Sequence, residues 1–446
     1  MRVSRLRILL TVLVASCVGL RAASTEPLPI QGLAHVTDAS HTSTLLRERG
    51  LAPTSLETRG DGTRATTLRD PHGHLVAFAE YTPDSLEARD RQNNLGAREV
   101  STRILVKKAD AALKVKPLSV TEKSRVAPSG NANDYASTAP YFWPDPNKPD
   151  GLPYIRRDGQ VNPESRTAAS DLLRSQLMSR TVSTLADAYA ATGEEKYAEH
   201  AALLLRTWFI DPATFMRPHL DFAQGVPGVN TGRQIGIIEG TSIVGALDKA
   251  DRLSGSKSWT AADHEALMKW TSQFLDWYLH SPFGIQEREG NNNHGTYYDV
   301  QVMRMALMVG RTDLARQVAE TAKEKRIAAQ IAPDGSQPHE LARATSFGYS
   351  VMNLRGFGTL ASLSERVGVD LWNYESADGR SIRKAIDFLI PYVEDPTKKW
   401  PYQQIKEMDR GGLASLLREA GKVYREPRYT ALASKQPEKA DNTKED

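Results

Sequence analysis

Along most of the chain the apolar residues recur at three- and four-residue spacing, the period that places them on one face of an α-helix. The pattern holds over 167–191, 195–209, 235–254, 260–280, 296–309, 312–331, 339–366, 380–395 and 411–424. Leu172, Leu173, Leu177, Val182 and Leu185 trace one such face, and Ala201, Leu204, Leu205 and Trp208 another. Gly, Pro and Asn punctuate the runs, most connections are short, and almost no alternating strand pattern lies between them. Successive helices of this kind predict stacked helical hairpins. An all-α fold, an (α/α) toroid, houses them best, although a layered helical repeat leaves a similar period.

The chain reads differently before residue 100. Apolar runs such as Leu75-Val76-Ala77-Phe78 stand beside turn signals at Arg59-Gly60-Asp61-Gly62 and Asp70-Pro71-His72-Gly73, so a small β-containing extension is expected within 28–82. Arg2, Arg5 and Arg7 precede the apolar run 8–15, which is too short to span a bilayer. The expectation is a signal peptide over 1–23 and export to the periplasm, the outer membrane or the medium. Val14-Ala15-Ser16-Cys17 resembles a lipobox, so lipidation at Cys17 stands beside ordinary cleavage near Ala22-Ala23. The charged tail 434–446 is expected to be disordered.

Composition narrows the function classes. With 446 residues, 40% hydrophobic and 25% charged, the chain can build a large core. Its formal charge is +3, but without the three leader arginines 54 basic residues face 54 acidic ones, so no net field draws it to nucleic acid. Cys17 is the only cysteine, which excludes an intrachain disulfide and a cysteine zinc site. The histidines show no His-x-x-x-His spacing, so no metal is expected.

Four stretches interrupt the helical pattern and hold the chemistry. Residues 134–146 and 151–159 are rich in Pro and Gly and present Tyr135, Tyr141, Trp143 and Tyr154 beside Arg156 and Arg157, which suits a sugar ring carrying a carboxylate. The loop 217–233 brings His219, Gln224 and Arg233 towards a helix carrying Glu239. The run Asn291-Asn292-Asn293-His294-Gly295, with Tyr298 after it, exceeds what a helix cap needs and sets amide donors and an imidazole where a helix N-terminus favours an anion. The last stretch, 334–349, holds Arg343 and Tyr349, six residues apart. On one continuous helix they would face about 240° apart, so their meeting requires a distortion, for which Gly348 is the candidate.

Together these stretches resemble the alginate lyase superfamily of polysaccharide lyases. The anchors are 135–146, 151–159, Asn292-Asn293-His294-Gly295 and Glu340-Leu341-Ala342-Arg343, and the resemblance covers about 100–430. It implies an α/α toroid that cleaves a 4-linked polyuronate, alginate or glucuronan, by β-elimination without a cofactor. It also implies an anionic polysaccharide as partner, no nucleic acid, no protein partner, and membrane attachment only through a lipidated Cys17. It assigns carboxylate neutralisation to Asn293 and Arg343, and proton transfer to His294 and Tyr349. In the better-known branch a histidine precedes the tyrosine where this chain has Gly348. Separately, Arg69 to Phe78 with His35 upstream resembles a half-module of the glyoxalase/bleomycin-resistance superfamily; the strand glutamate is missing at Ala77, and His72 and His74 imply no metal there.

The chemistry fits those residue types. A uronate C5 proton becomes removable when donors stabilise charge on the neighbouring carboxylate, and a base and an acid must then serve C5 and O4. A tyrosine acting as base needs a cation nearby, and Arg343 is the obvious one. Two rival classes remain open at this point. An inverting glycoside hydrolase would use a pair among Glu239, Asp299 and Glu340, and a non-catalytic polyuronate-binding lipoprotein would use Tyr141, Trp143 and Tyr154 as platforms.

Overall fold

The computed structural model describes residues 30–36, 39–48, 50–58, 64–69, 75–80 and 100–436. The leader with Cys17, the turns at 59–62 and 70–73 with His72 and His74, and the last ten residues of the tail lie outside the described residues. Contacts divide the chain into two units, Met1–Arg103 and Ile104–Asp446. In the first, β1 (Ile30–Val36), α1 (Ala39–Glu48), β2 (Glu57–Thr58), β3 (Arg64–Arg69) and β4 (Leu75–Glu80) make a sheet of order β1-β4-β3-β2. β4 runs parallel to β1 and antiparallel to β3. Strands therefore occur where the apolar runs and turns predict them, and α1 joins them.

The second unit is an α/α toroid. After a helix over 100–112, labelled α2, come α3 (Leu172–Thr192), α4 (Glu195–Phe209), α5 (Gly240–Leu247), α6 (Ala261–His280), α7 (Pro282–Arg288), α8 (Asn293–Met308), α9 (Thr312–Ala322), α10 (Pro338–Leu341), α11 (Ser346–Glu365), α12 (Ile382–Glu394), α13 (Ala414–Val423) and α14 (Pro427–Lys435). Neighbours in sequence pack as hairpins: α3 turns into α4 at Gly193, whose left-handed φ of 71° only glycine adopts freely. The chain from Ser434 to Gln436, expected in a disordered tail, instead closes α14.

The core is apolar and continuous through the second unit. Phe209, Trp270, Phe274 and Tyr278 form a ladder with centroids 4.7–4.9 Å apart, edge-to-face at both ends and tilted between Trp270 and Phe274, a geometry that adds to simple area burial. The helix that matters most for the site is α8. Asn293, Gly295, Thr296, Tyr298–Val300, Val302 and Met303 are all buried along it, so it is covered on nearly every side, as a central rather than a surface helix is.

One buried cation fastens α8 to its surroundings. Arg326 sits in a π-helical turn, Lys323–Ala328, that continues α9. Its guanidinium grips Asp299 of α8 at 2.7 and 3.0 Å and donates to the carbonyls of Arg288 and Gly290 at 2.8 and 2.7 Å. The C-terminal end of α7 is thereby held against the first turn of α8. Gly295 is glycine for the same reason, since a Cβ there would lie 2.0 Å from the Gly290 carbonyl and 2.6 Å from Arg326 Nη1.

Candidate functional site

The interrupting stretches converge through short strands. β5 (Ala136–Thr138) pairs in parallel with β8 (Phe222–Gly225), and β6 (Phe142–Trp143) pairs antiparallel with β7 (Ile155–Arg156). These pairings bring the aromatic loop, the Gln224 loop and the Arg156-Arg157-Asp158 turn together. Strands of two to four residues are too short to leave a readable alternation in sequence.

Arg343 and Tyr349 meet because the expected helix over 339–366 is broken. α10 ends at Leu341 and α11 begins at Ser346, so the residues between them are free to turn. The break is held from outside: Thr345 bridges Gln404, the Ser346 N–H donates to the Gln403 carbonyl, and the Phe347 N–H donates to Gln404 Oε1. Gly348 lies inside α11 and is not the distortion. Arg343 Nη2 donates to Tyr349 Oη at 2.7 Å, and its guanidinium lies 3.7 Å from the centroid of that ring. Tyr349 Oη donates to Tyr141 Oη at 2.9 Å.

Asp158 orients the arginine. Its carboxylate accepts from Arg343 Nε at 3.1 Å and Nη2 at 2.7 Å, from the Ala344 N–H at 3.1 Å, and from Arg156 Nη2 at 2.9 Å. Burial alone would raise its pKa, but the bonds from Arg343 and Ala344 hold it well below the usual carboxylate range. Arg343 Nη1 has no acceptor among the described residues, which leaves one donor for a ligand. In the sequence Asp158 stands only as one residue of the 151–159 loop; its partner lies 185 residues away, a separation that leaves no local signal.

Tyr349 corrects an expectation. The nearby Arg343 does pull its phenol towards ionisation, but burial and the neighbouring Tyr141 outweigh the cation and push it far above the ordinary tyrosine value. The phenol therefore carries its proton at neutral pH.

Asn293 and His294 lie in the first turn of α8 rather than in a loop before it, and Asn292 is the cap, accepting from the His294 N–H at 3.1 Å. The anion this helix end attracts is the protein's own Glu340, which accepts the Asn293 N–H at 2.6 Å. The Asn293 amide donates to both Glu340 oxygens, at 3.0 and 2.9 Å, and the residue is 1% exposed. Asn293 thus commits its donors inward, and the free donor for a carboxylate is Arg343 Nη1. His294 Nδ1 lies 2.6 Å from Glu287 Oε1. A carboxylate there holds the proton on Nδ1 and turns Nε2 outward as an acceptor. Glu287 sits on α7, and no motif announced it.

Other expected site residues fall inside. Tyr135 is fully buried and donates to Glu239 Oε2 at 2.9 Å, and Tyr298 is 2% exposed and donates to the Tyr278 carbonyl, so neither offers a face to a sugar. In both, an apolar body found the core and the hydroxyl found an acceptor there. His219 is clamped between Asp134 at 2.9 Å and Asp221 at 3.1 Å. Gln224 is buried at a left-handed φ of 52°, a strained backbone, and accepts from Arg233 Nη2 at 2.8 Å. Arg233 stacks on Phe142, and Arg157 on Trp143, whose indole N–H donates to the Gln160 carbonyl at 3.0 Å. Arg156 is exposed. Of the carboxylates considered for hydrolysis, Asp299 is taken by Arg326 and Glu340 by Asn293, while Glu239 is buried and accepts from Tyr135 and Ser137 through Oε2 alone.

Glu239 gives the site a pH signature. Burial raises its pKa from 4.5 to about 7, against the opposing bonds from Ser137, Tyr135 and Gln224. A raised acid binds its proton more tightly when folded, so its contribution is complete below 4.5 and is lost as pH rises through 7. The shift corresponds to a loss of order 3 kcal/mol. Urea unfolding at about pH 5 and about pH 8 should show that fall in the parent chain and a much flatter profile in Glu239→Gln. Parallel profiles would defeat the assignment.

A family model described as alginate lyase matches residues 119–400. The chain is similar to the crystal structure of an alginate lyase from Bacteroides ovatus, with 42% identity and a TM-score of 0.73 over 75% of this chain and 89% of that one. It also aligns with alginate lyase A1-III from Sphingomonas species A1 at 19% identity and a TM-score of 0.44, over 71% and 86% of the two chains. A form of A1-III complexed with tetrasaccharide aligns at 17% identity and a TM-score of 0.46, over 73% and 88%. No curated protein matches.

Proposed function

The chain belongs to the alginate lyase family and is a polysaccharide lyase, and from that premise we propose that it cleaves a 4-linked polyuronate, alginate first, by β-elimination at the Arg343–Tyr349 site. One observation carries the reading: a protonated, partly buried phenol bonded to a guanidinium that keeps a donor free. The uronate carboxylate takes Arg343 Nη1, which stabilises the charge that develops when C5 loses its proton. His294 Nε2, set as an acceptor by Glu287, takes that proton. The electron pair forms the C4–C5 double bond, the C4–O4 bond breaks, and O4 takes the phenolic proton of Tyr349. Where both transfers occur on one face of the sugar, Tyr349 serves as base as well: its phenolic proton first leaves to solvent, and the phenolate then takes the C5 proton and gives that same proton to O4. Exposed Arg156 and the stacked Arg157 and Trp143 supply charge and a ring face for flanking uronates.

Glucuronan stands as the second substrate. The better-known branch carries a histidine before the tyrosine; here a Cβ added at Gly348 would meet nothing within 4 Å, so open space lies beside Tyr349. Export through the N-terminal segment, with Cys17 as a lipid anchor, belongs to the same proposal, and fractionation of cells making the full chain checks it. The activity is tested by ultraviolet absorbance during incubation with polymannuronate, polyguluronate, glucuronan and a neutral glucan. A conjugated alkene should appear on at least one polyuronate and never on the glucan. Chains shortened without alkene would mean hydrolysis, and binding without shortening a carbohydrate-binding protein; either sinks the proposal.

A further inference from the structure

A cavity of about 630 Å³ opens beside the Asp158–Arg343 pair, lined in part by Gln160, Val161, Arg166, Leu173, Ile405 and Lys406. Its wall touches the site on two sides. Gly159, next to Asp158, packs so closely that a Cβ there would lie 3.0 Å from Ile405 and 3.2 Å from Ala344, the neighbour of Arg343. Gln160 accepts the Trp143 indole N–H, so the aromatic loop and the cavity share a strand of backbone.

The lining has a particular chemistry. Arg166 and Lys406 are cationic, and no carboxylate lines the cavity. Neither cation's side chain has a hydrogen bond or ion pair among the described residues, and Arg166 Nε is shut off from solvent without an acceptor. The acid nearest Arg166 in sequence, Glu164, is occupied by the Tyr154 hydroxyl at 2.6 Å. Leu173 and Ile405, 38% and 47% exposed, add two large apolar faces to the same cavity. Apolar surface to cover a ring and paired cations to hold an anion are what a uronate residue requires.

We propose that this cavity is a remote subsite for one uronate of the bound polysaccharide, its ring against Leu173 and Ile405 and its carboxylate between Arg166 and Lys406. The inference rests on the polyuronate reading above and adds a second anchor away from the bond that breaks. A substrate too short to reach the cavity gains nothing from it, so its signature is dependence on chain length.

The test uses the full chain with Arg166→Gln and Lys406→Gln combined. On long polyuronate, KM should rise at least about tenfold, because the carboxylate loses both charged partners, with kcat unchanged. On a trisaccharide neither constant should move. Calorimetry in a Tyr349→Phe background should repeat the pattern in Kd without turnover. Should the double variant fold poorly, Lys406→Gln alone, at an exposed position, should show a smaller length-dependent loss. Equal affinity for long chains in variant and parent overturns the subsite. So does an equal loss on the trisaccharide, which would place both cations at the cleavage point, and so does binding of inorganic sulfate with no effect of chain length. Failure of the parent chain to form alkene on every polyuronate would instead defeat the lyase reading, so the two failures are distinguishable.

Discussion

A Tyr349→Phe variant is expected to lose about 10²–10⁴-fold in kcat on polyuronate while keeping its fold and nearly its KM. The substitution removes only the hydroxyl that donates to Tyr141 and accepts from Arg343. Arg343 remains gripped by Asp158 through Nε and Nη2, so the carboxylate donor stays in place and substrate should still bind. What disappears is the proton for O4. Burial holds that proton on the phenol in the resting protein, and for a general acid this is an advantage. Steady-state alkene formation, with circular dichroism as a fold control, reads the outcome. A variant that retains full kcat would remove Tyr349 from the reaction, and one whose KM rises with kcat intact would recast it as a binding residue.

The largest effect on stability is expected at Arg326. Its side chain is 1% exposed and serves one carboxylate and two carbonyls, so Arg326→Met leaves the buried Asp299 carboxyl without its partner. Removing one partner of a buried pair costs about 3–5 kcal/mol. Urea unfolding measures that cost directly. The companion variant Arg326→Met with Asp299→Leu removes both partners and should recover much of the loss, because the penalty lies in the stranded buried carboxyl and not in the missing attraction. If the double variant is no more stable than the single one, the carbonyls of Arg288 and Gly290 carry the energy instead. Activity should fall in both variants, since the same guanidinium holds the end of α7, where Glu287 sits, against the turn that carries His294.

The contrast between Arg326 and Tyr349 runs through the whole site. Tyr349, Arg343, His294 and Asn293 are residue types with recognisable chemistry in recognisable strings. Glu287, Asp158 and Glu340 hold them in place, and nothing local marks those roles. Asp158 finds Arg343 across 185 residues and Glu340 finds Asn293 across 47, distances over which no spacing rule operates. Tyr135 and Tyr298 mark the opposite failure: a tyrosine beside polar residues suits a sugar platform or a core with a buried acceptor equally well, and the choice depends on neighbours that only folding supplies.

What the sequence determined by itself was what depends on neighbours a few positions away. Apolar residues at helical spacing were enough for the helices and for an all-α fold of packed hairpins, because one buried stripe per helix demands partners of the same kind, but a toroid and a layered repeat share that period. Gly and Pro were enough to mark the four interruptions. The tertiary structure decided the rest. Ala342, Arg343 and Ala344 are good helix formers and would continue a helix from Glu340 to Glu365 on their own. They do not, because the chain at Gln403 and Gln404 supplies the acceptors and the bridge that a helix would otherwise provide. That break turns Arg343 back onto Tyr349, and hydrogen bonds over long separations, not local propensity, set the geometry of the reaction.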